Sequence, residues 1–388
     1  MRLGVSAALV GGRLVAGDVA VRDGRISAVG LGGGGRGVAA PGFVDLHVNG
    51  FAGVDFLTTG RDGYERAGAA LLASGVTAFQ PTFVSAPEAT LVAALREVPA
   101  EPRGHGGVSP RSTGAASPRG GPAHARGAAS SSAAPRVLGA HLEGPFLARA
   151  GAHDPRALRA PDLALLRRLL DAGPVTQVTL APELDGALEL VDELVRRGVT
   201  AAAGHTNADA AAAHAAFDRG VRTVAHLFNA MALGTAREPG LVLAALGRPD
   251  VTVQMIGDLV HVAPDALLAA WRAAAGRFAL VTDAAAPAGA TDGEFVLGGR
   301  PVRAAGGVVR GADGGLAGSA LTMIAGVRNL VSLGIPLEDA LAAASRVPAR
   351  IAGRPDLGTL EPGAAADVVV LDDRLEVARV VVNGVAGA

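Results

Sequence analysis

The chain contains neither cysteine nor lysine. The first absence excludes disulfides, a thiolate nucleophile and thiolate-bound zinc, so any metal must be held by histidine, aspartate or glutamate. The second excludes Schiff-base catalysis and the carbamylated lysine that can bridge paired metal ions. Excess charge of either sign is lacking as well: 35 basic and 36 acidic residues leave a net charge of −1. That balance argues against a nucleic acid or a membrane surface as partner. No apolar run continues far enough without charge to span a bilayer. Residues 1–10 lack the basic segment, apolar run and cleavage site of a secretion signal, so the expectation is a cytoplasmic, soluble protein.

With 388 residues, the chain can bury a large core, as two domains or as one barrel with an appendage. Residues 1–40 show short alternating segments separated by glycine, and residues 353–388 repeat the pattern in Ala366-Asp-Val-Val-Val-Leu-Asp and Val377-Ala-Arg-Val-Val-Val-Asn-Gly. Both read as strands, and the two ends are expected to form one small β-sandwich. Residues 41–352 instead alternate apolar runs with helix-length amphipathic stretches, which is the pattern of βα units around a parallel sheet. Strands are expected at 42–47, 76–83, 137–142, 175–180, 199–203, 221–226, 251–256 and 278–282, the eight that a closed (β/α)8 TIM-type barrel needs. Helices are expected at 64–74, 161–172, 185–197 and 208–219. Residues 101–136 are rich in Gly, Ser, Pro, Ala and Arg with almost no large apolar side chain, so this insertion is expected to be disordered. Its His105 and His124 are read as solvated.

Four acid or imidazole residues close four of these apolar runs: Glu143, His205, His226 and Asp283. In such barrels catalytic residues gather where strands end. Glu143, two residues after His141 and before the Gly144-Pro145 turn, would be costly inside an apolar strand end unless paired. Together with His205 and His226 it makes a set of two histidines and one carboxylate. Such a set holds one divalent ion, zinc first with Fe2+ or another ion also compatible, and leaves a position for water. Asp283 is placed to take a proton from that water and return one to a leaving amine. As an alternative to catalysis, Asp283 could cap a helix, but the alanines and Pro287 that follow are poor helix starters.

Several motifs occur in one order: Pro41-Gly-Phe-Val-Asp-Leu-His-Val-Asn-Gly, His141-Leu-Glu-Gly-Pro-Phe-Leu, Gly151-Ala-His, Thr179-Leu-Ala-Pro-Glu, Gly204-His-Thr-Asn, His226-Leu-Phe-Asn-Ala-Met, Arg237-Glu-Pro-Gly, Val281-Thr-Asp-Ala and Gly318-Ser-Ala-Leu-Thr-Met. Outside the 101–136 insertion the chain resembles the N-acetylglucosamine-6-phosphate deacetylases of the amidohydrolase superfamily. The resemblance implies Glu143, His205 and His226 as metal ligands and Asp283 as acid/base. It further implies Asn229, Ala230, Arg237 and His261 as phosphate contacts, with the arginine reaching from the neighbouring subunit of a homodimer, and His153 as a sugar contact. The implied substrate is a small amino-sugar phosphate. Two departures stand out. Members that hold two metals carry His-X-His where this chain has His47-Val-Asn49; an amide oxygen is a weak zinc ligand, so one tight metal is expected, with His47 at most a weak second site. Leu259 replaces a glycine usual before His261, which puts that histidine's placement in question. Alternatives stay open: N-acetylgalactosamine 6-phosphate as substrate, another amide, or a barrel that has lost activity.

Overall fold

The computed structural model describes residues 1–99 and 133–387. Eight parallel strands form the centre: β1 Phe43–Val48, β2 Val76–Val84, β3 Ala140–Glu143, β4 Val175–Leu180, β5 Thr200–Ala203, β6 Thr223–Val224, β7 Thr252–Ile256 and β8 Phe278–Val281. Neighbours in this list pair in parallel from β1 through to β8. Between β8 and β1 the ring is joined by a single bridge, Val48 with Ala284. Beside it the Asn49 N–H donates to the Ala284 carbonyl (2.7 Å) and the buried Asp45 carboxylate accepts from Thr282 N and Oγ1. The barrel expected from the sequence is therefore present and nearly closed.

Two strands differ from expectation for local reasons. The run 137–142 is interrupted at Gly139, φ 91°, so Arg136–Val137 pairs separately with β2 before β3 begins. The run 221–226 keeps only two ladder residues, because His226 (φ 25°) and Phe228 (φ 81°) turn the chain out of the sheet. Helices Arg61–Ala73, Leu163–Ala172, Ala187–Arg196 and Ala210–Arg219 occupy the four expected stretches. Asp162 and Asp209 cap two of them by accepting from Leu165 N and Ala212 N. Further helices, among them Glu88–Glu97, Pro264–Ala273 and Met323–Ser332, complete the outer layer. No helix among the described residues is long and apolar enough to cross a membrane.

The chain ends share a six-stranded sheet, in the order Arg13–Ala16, Ala7–Val10, Val38–Pro41, Val368–Leu371, Val377–Val382, Val385–Ala386. A hairpin, Asp18–Arg22 with Arg25–Leu31, adds Val19, Val21 and Ile26 to an apolar layer containing Val5, Val368 and Val381. This is the small sandwich of the two termini. The sequence reading did not foresee an antiparallel sheet of Gly293–Leu297, Arg300–Ala305 and Val308–Gly311 after β8. Of the segment expected to be disordered, only residues 133–136 are described, and Arg136 there is ordered in a strand. The rest, with His105 and His124, lies outside the described residues.

Candidate active site

Glu143 ends β3 and is the hub of a cluster of histidines at the carboxyl ends of the strands. Its Oε1 lies 2.7 Å from His226 Nε2 and 3.0 Å from His205 Nε2. Its Oε2 lies 3.1 Å from His153 Nε2 and 3.4 Å from His47 Nε2. His47 also sits 3.2 Å from Asp283 Oδ1, and Asn49 Nδ2 donates to the same oxygen at 2.7 Å. Glu143 and the four histidines are buried, and only Asp283 keeps some exposure, 13 % of its side chain.

The backbone works to present these groups. His205, His226, Ala230 and Asp283 all take positive φ, between 25° and 50°. A non-glycine residue there costs roughly 1–2 kcal/mol, so surrounding bonds must hold it. After His205, Glu183 does so by accepting from Thr206 Oγ1 and Asn207 N. After Asp283, the Ser319 N–H donates to the Asp283 carbonyl and Ala285 N donates back to Ser319.

Hydrogen-bond partners fix the imidazole tautomers and with them the roles available. A carbonyl only accepts, so the Arg149 carbonyl, 2.8 Å from His205 Nδ1, places that ring's proton on Nδ1. His205 therefore turns Nε2 toward a carboxylate oxygen, and only a positive charge between the two, a proton or a metal ion, can join them. His153 is the opposite case. The backbone N–H of Ser85 donates to its Nδ1 (3.0 Å), so Nε2 carries the proton and donates to Glu143 Oε2. His153 thus ties down one carboxylate oxygen and leaves Oε1 to face His205 and His226. Outer partners of this kind orient metal ligands in many sites.

Burial pushes His47 down, but Asp283 and Glu143 outweigh it and raise it to about 9. Burial likewise pushes Glu143 up, yet His47, His205 and His153 hold it well below the carboxylate range. The cluster is electrostatically built for positive charge. Both ring nitrogens of His47 and Nδ1 of His226 are buried without a hydrogen-bond partner. The donor set of imidazoles and one carboxylate fits a divalent ion.

Among the expected site residues, a cavity of about 180 Å3 is lined by Glu143, His153, His205, His226, Asn229, Ala230, His261 and Asp283. His47 lies behind its wall, fully buried. Arg237 lies apart from it, exposed on the segment between Met231 and Gly240, and among the described residues it makes no ion pair, not even with Glu238. Leu259 does not displace His261. It adopts φ 62°, the left-handed region a glycine would occupy freely, and the turn survives with Asp258 Oδ1 accepting from Val260 N and His261 N. Asp258 Oδ2 lies 2.6 Å from His261 Nδ1; burial pushes that imidazole down, but Asp258 outweighs it and raises it.

Other features escaped the sequence reading. Asn49, read as a weak ligand, offers its donor to Asp283, and a carboxylate can only accept, so this side chain orients the Asp283 carboxylate. Asp45 is pushed up to about 6 by burial, partly offset by Thr282 and His47. His141 shares a strand with Glu143 but is held between Thr82 and Thr179, and burial beside His47 keeps it well below its ordinary value.

Residues 38–386 match the amidohydrolase family. The chain belongs to that family. This amidohydrolase is similar to N-acetylgalactosamine-6-phosphate deacetylase of Escherichia coli O157:H7, at 37 % identity over 350 residues, 89 % of this chain and 86 % of that one. It is similar also to N-acetylglucosamine-6-phosphate deacetylase of Homo sapiens, at 37 % over 369 residues, 90 % and 83 % of the two chains. Among solved structures, a mutant N-acetyl-D-glucosamine-6-phosphate deacetylase from Mycobacterium smegmatis in complex with N-acetyl-D-glucosamine-6-phosphate superposes with a TM-score of 0.87 at 34 % identity, covering 100 % of this amidohydrolase and 98 % of that chain.

Proposed function

We propose that this amidohydrolase removes the acetyl group of N-acetylglucosamine 6-phosphate, giving acetate and glucosamine 6-phosphate, in amino-sugar catabolism. The observation that carries the reading is one cavity that brings a cluster suited to a cation (Glu143, His205, His226), an ordered carboxylate (Asp283) and a wall of Asn229, Ala230 and His261 together. Relatives named for this deacetylation support it.

Glu143, His205 and His226 would hold one divalent ion, zinc in our reading, with His47 able to join as a weaker ligand. Bound there, the ion supplies Lewis-acid polarisation of the acetamide carbonyl. Asp283, steered by Asn49, takes the proton of the attacking water as the new C–O bond forms. The same carboxyl then hands the proton to nitrogen as the C–N bond breaks. His153, Asn229, Ala230 and a His261 held toward its charged form by Asp258 receive the sugar and its phosphate. The exposed Arg237 fits the role of a phosphate clamp across a homodimer, its guanidinium fork serving the site of the partner subunit. A cytoplasmic location completes the proposal.

One relative at 37 % identity is named for the galactosamine epimer, which favours N-acetylgalactosamine 6-phosphate as the second reading. Acetate release should be measured on both phosphorylated epimers and on unphosphorylated N-acetylglucosamine, with metal content determined on the same preparation. Turnover confined to phosphorylated sugars with about one metal per chain, as three ligands and a water imply, supports the reading. Equal turnover without the phosphate overturns it.

A further inference from the structure

The antiparallel sheet that follows β8 reaches into the site through one side chain. Arg300 Nη1 donates to two consecutive carbonyls, Ala152 at 2.9 Å and His153 at 2.8 Å. Among the described residues no other hydrogen bond to either carbonyl is present. These carbonyls end a short span that borders the cavity. At its start, Ala148 N and Arg149 N donate to the His205 carbonyl (3.0 and 2.9 Å), and the Arg149 carbonyl accepts from His205 Nδ1. In the middle Gly151, φ 53°, passes so close that a Cβ would lie 3.0 Å from His205 Cε1. At the end, His153 takes the Ser85 N–H on Nδ1 and gives its Nε2 proton to Glu143 Oε2.

We propose that Arg300 is a positioning residue: by holding the Ala152 and His153 carbonyls it fixes the imidazole that ties down Glu143 Oε2, so that Oε1 stays aimed between His205 and His226. The unforeseen sheet is then part of the active-site framework, because it delivers the clamp. Arg300 touches neither Glu143 nor the histidine rings. It acts through backbone, where one nitrogen bonded to two consecutive carbonyls restricts the peptide more than a bond to one of them would. The inference rests on the proposed function for the zinc site and for the reaction used as its readouts.

The test compares Arg300→Ala, Arg300→Gln and Arg300→Lys with the wild-type protein in zinc affinity by chelator competition, in kcat and KM, and in Tm. Loss of an outer partner of a metal ligand typically weakens affinity or activity about 10- to 100-fold. For Arg300→Ala, about tenfold weaker zinc binding is expected, with a comparable fall in kcat, little change in KM and a Tm within a few degrees. Arg300→Lys, still a donor, should recover most of the loss. Should Arg300→Ala fail to fold, Arg300→Gln carries the same comparison. Wild-type zinc affinity and kcat in Arg300→Ala would overturn the proposal, as would losses that follow Tm alone across the series. If the wild-type protein binds zinc yet releases no acetate from any amino-sugar phosphate, the substrate reading fails while the zinc series still decides the role of Arg300.

Discussion

At the carboxyl ends of the barrel strands, several non-glycine residues occupy backbone positions better suited to glycine: His205, His226, Phe228, Ala230, Leu259 and Asp283 all have positive φ. In the terminal sandwich, positive φ falls mainly to glycines and to turn residues such as Asp23 and Asn383. Buried charge is handled differently too. Asp18, at the start of the sandwich hairpin, accepts from the amides of Gly4, Val5 and Val19 and from Arg2 Nε. Burial pushes it up, but those amides and the guanidinium outweigh burial and hold it below its ordinary value. Around Glu143, by contrast, ring nitrogens of His47 and His226 go unbonded. The Asp18 carboxylate is satisfied within the sandwich; the imidazoles around Glu143 are not all satisfied within the barrel. Strain and unmet polar groups of this kind concentrate where function needs them.

The strongest way to sharpen that contrast is Asp283→Asn. Turnover should fall roughly a thousandfold, the scale of a lost general acid/base, with metal content nearly intact. A near-normal rate would remove Asp283 from the proposed chemistry.

Stripping the ion with a chelator should come next in size. Binding only to the folded protein at a thousand times Kd contributes about 4 kcal/mol, so a tightly held ion implies a clear drop in Tm. Hydrogen exchange should quicken in the loops after β3, β5, β6 and β8 and stay unchanged in the sandwich. Uniform loosening would deny that the two regions differ.

Asp18→Asn tests the other side. Three backbone amides and a guanidinium would keep only a neutral acceptor, at a cost of about 1–3 kcal/mol, with kcat unchanged. Because the folded carboxyl titrates below its unfolded value of about 3.9, its stabilisation is fully present above that pH and is lost as pH falls through the lower folded value. Urea unfolding of wild type and variant should therefore differ near neutrality and converge in strong acid. A gap that persists there would assign the effect to packing.

The smallest effect is expected from Leu259→Gly. Relief of left-handed strain, about 1–2 kcal/mol, is set against lost packing of a partly buried leucine and the entropy of glycine. The net change in Tm should be a few degrees at most, with KM for the phosphorylated sugar nearly unchanged because Asp258 still holds His261. A large rise in KM would show that the leucine itself shapes the phosphate end of the cavity.

Alternation and run length in the sequence determined the strands of the barrel, since a parallel strand buried on both faces must be apolar throughout. They also paired the two chain ends into one sandwich and set an acid or imidazole at the carboxyl ends of β3, β5, β6 and β8, on the face where such barrels work. Strand ends were less legible at Gly139 and His226, where backbone angles rather than composition end the pairing. The sheet after β8 was missed, with no apolar run in Arg300–Ala305 to announce it. Only the tertiary structure decided what each polar group faces. It gave His153 to Ser85 and Glu143, turned Asn49 from a weak ligand into an arm on Asp283, kept His261 in place despite Leu259, and set Arg300 against the carbonyls of Ala152 and His153. The reason is physical. Apolar periodicity is local and repeats along the chain, whereas a hydrogen bond depends on direction and on a partner that the fold brings from a distant segment.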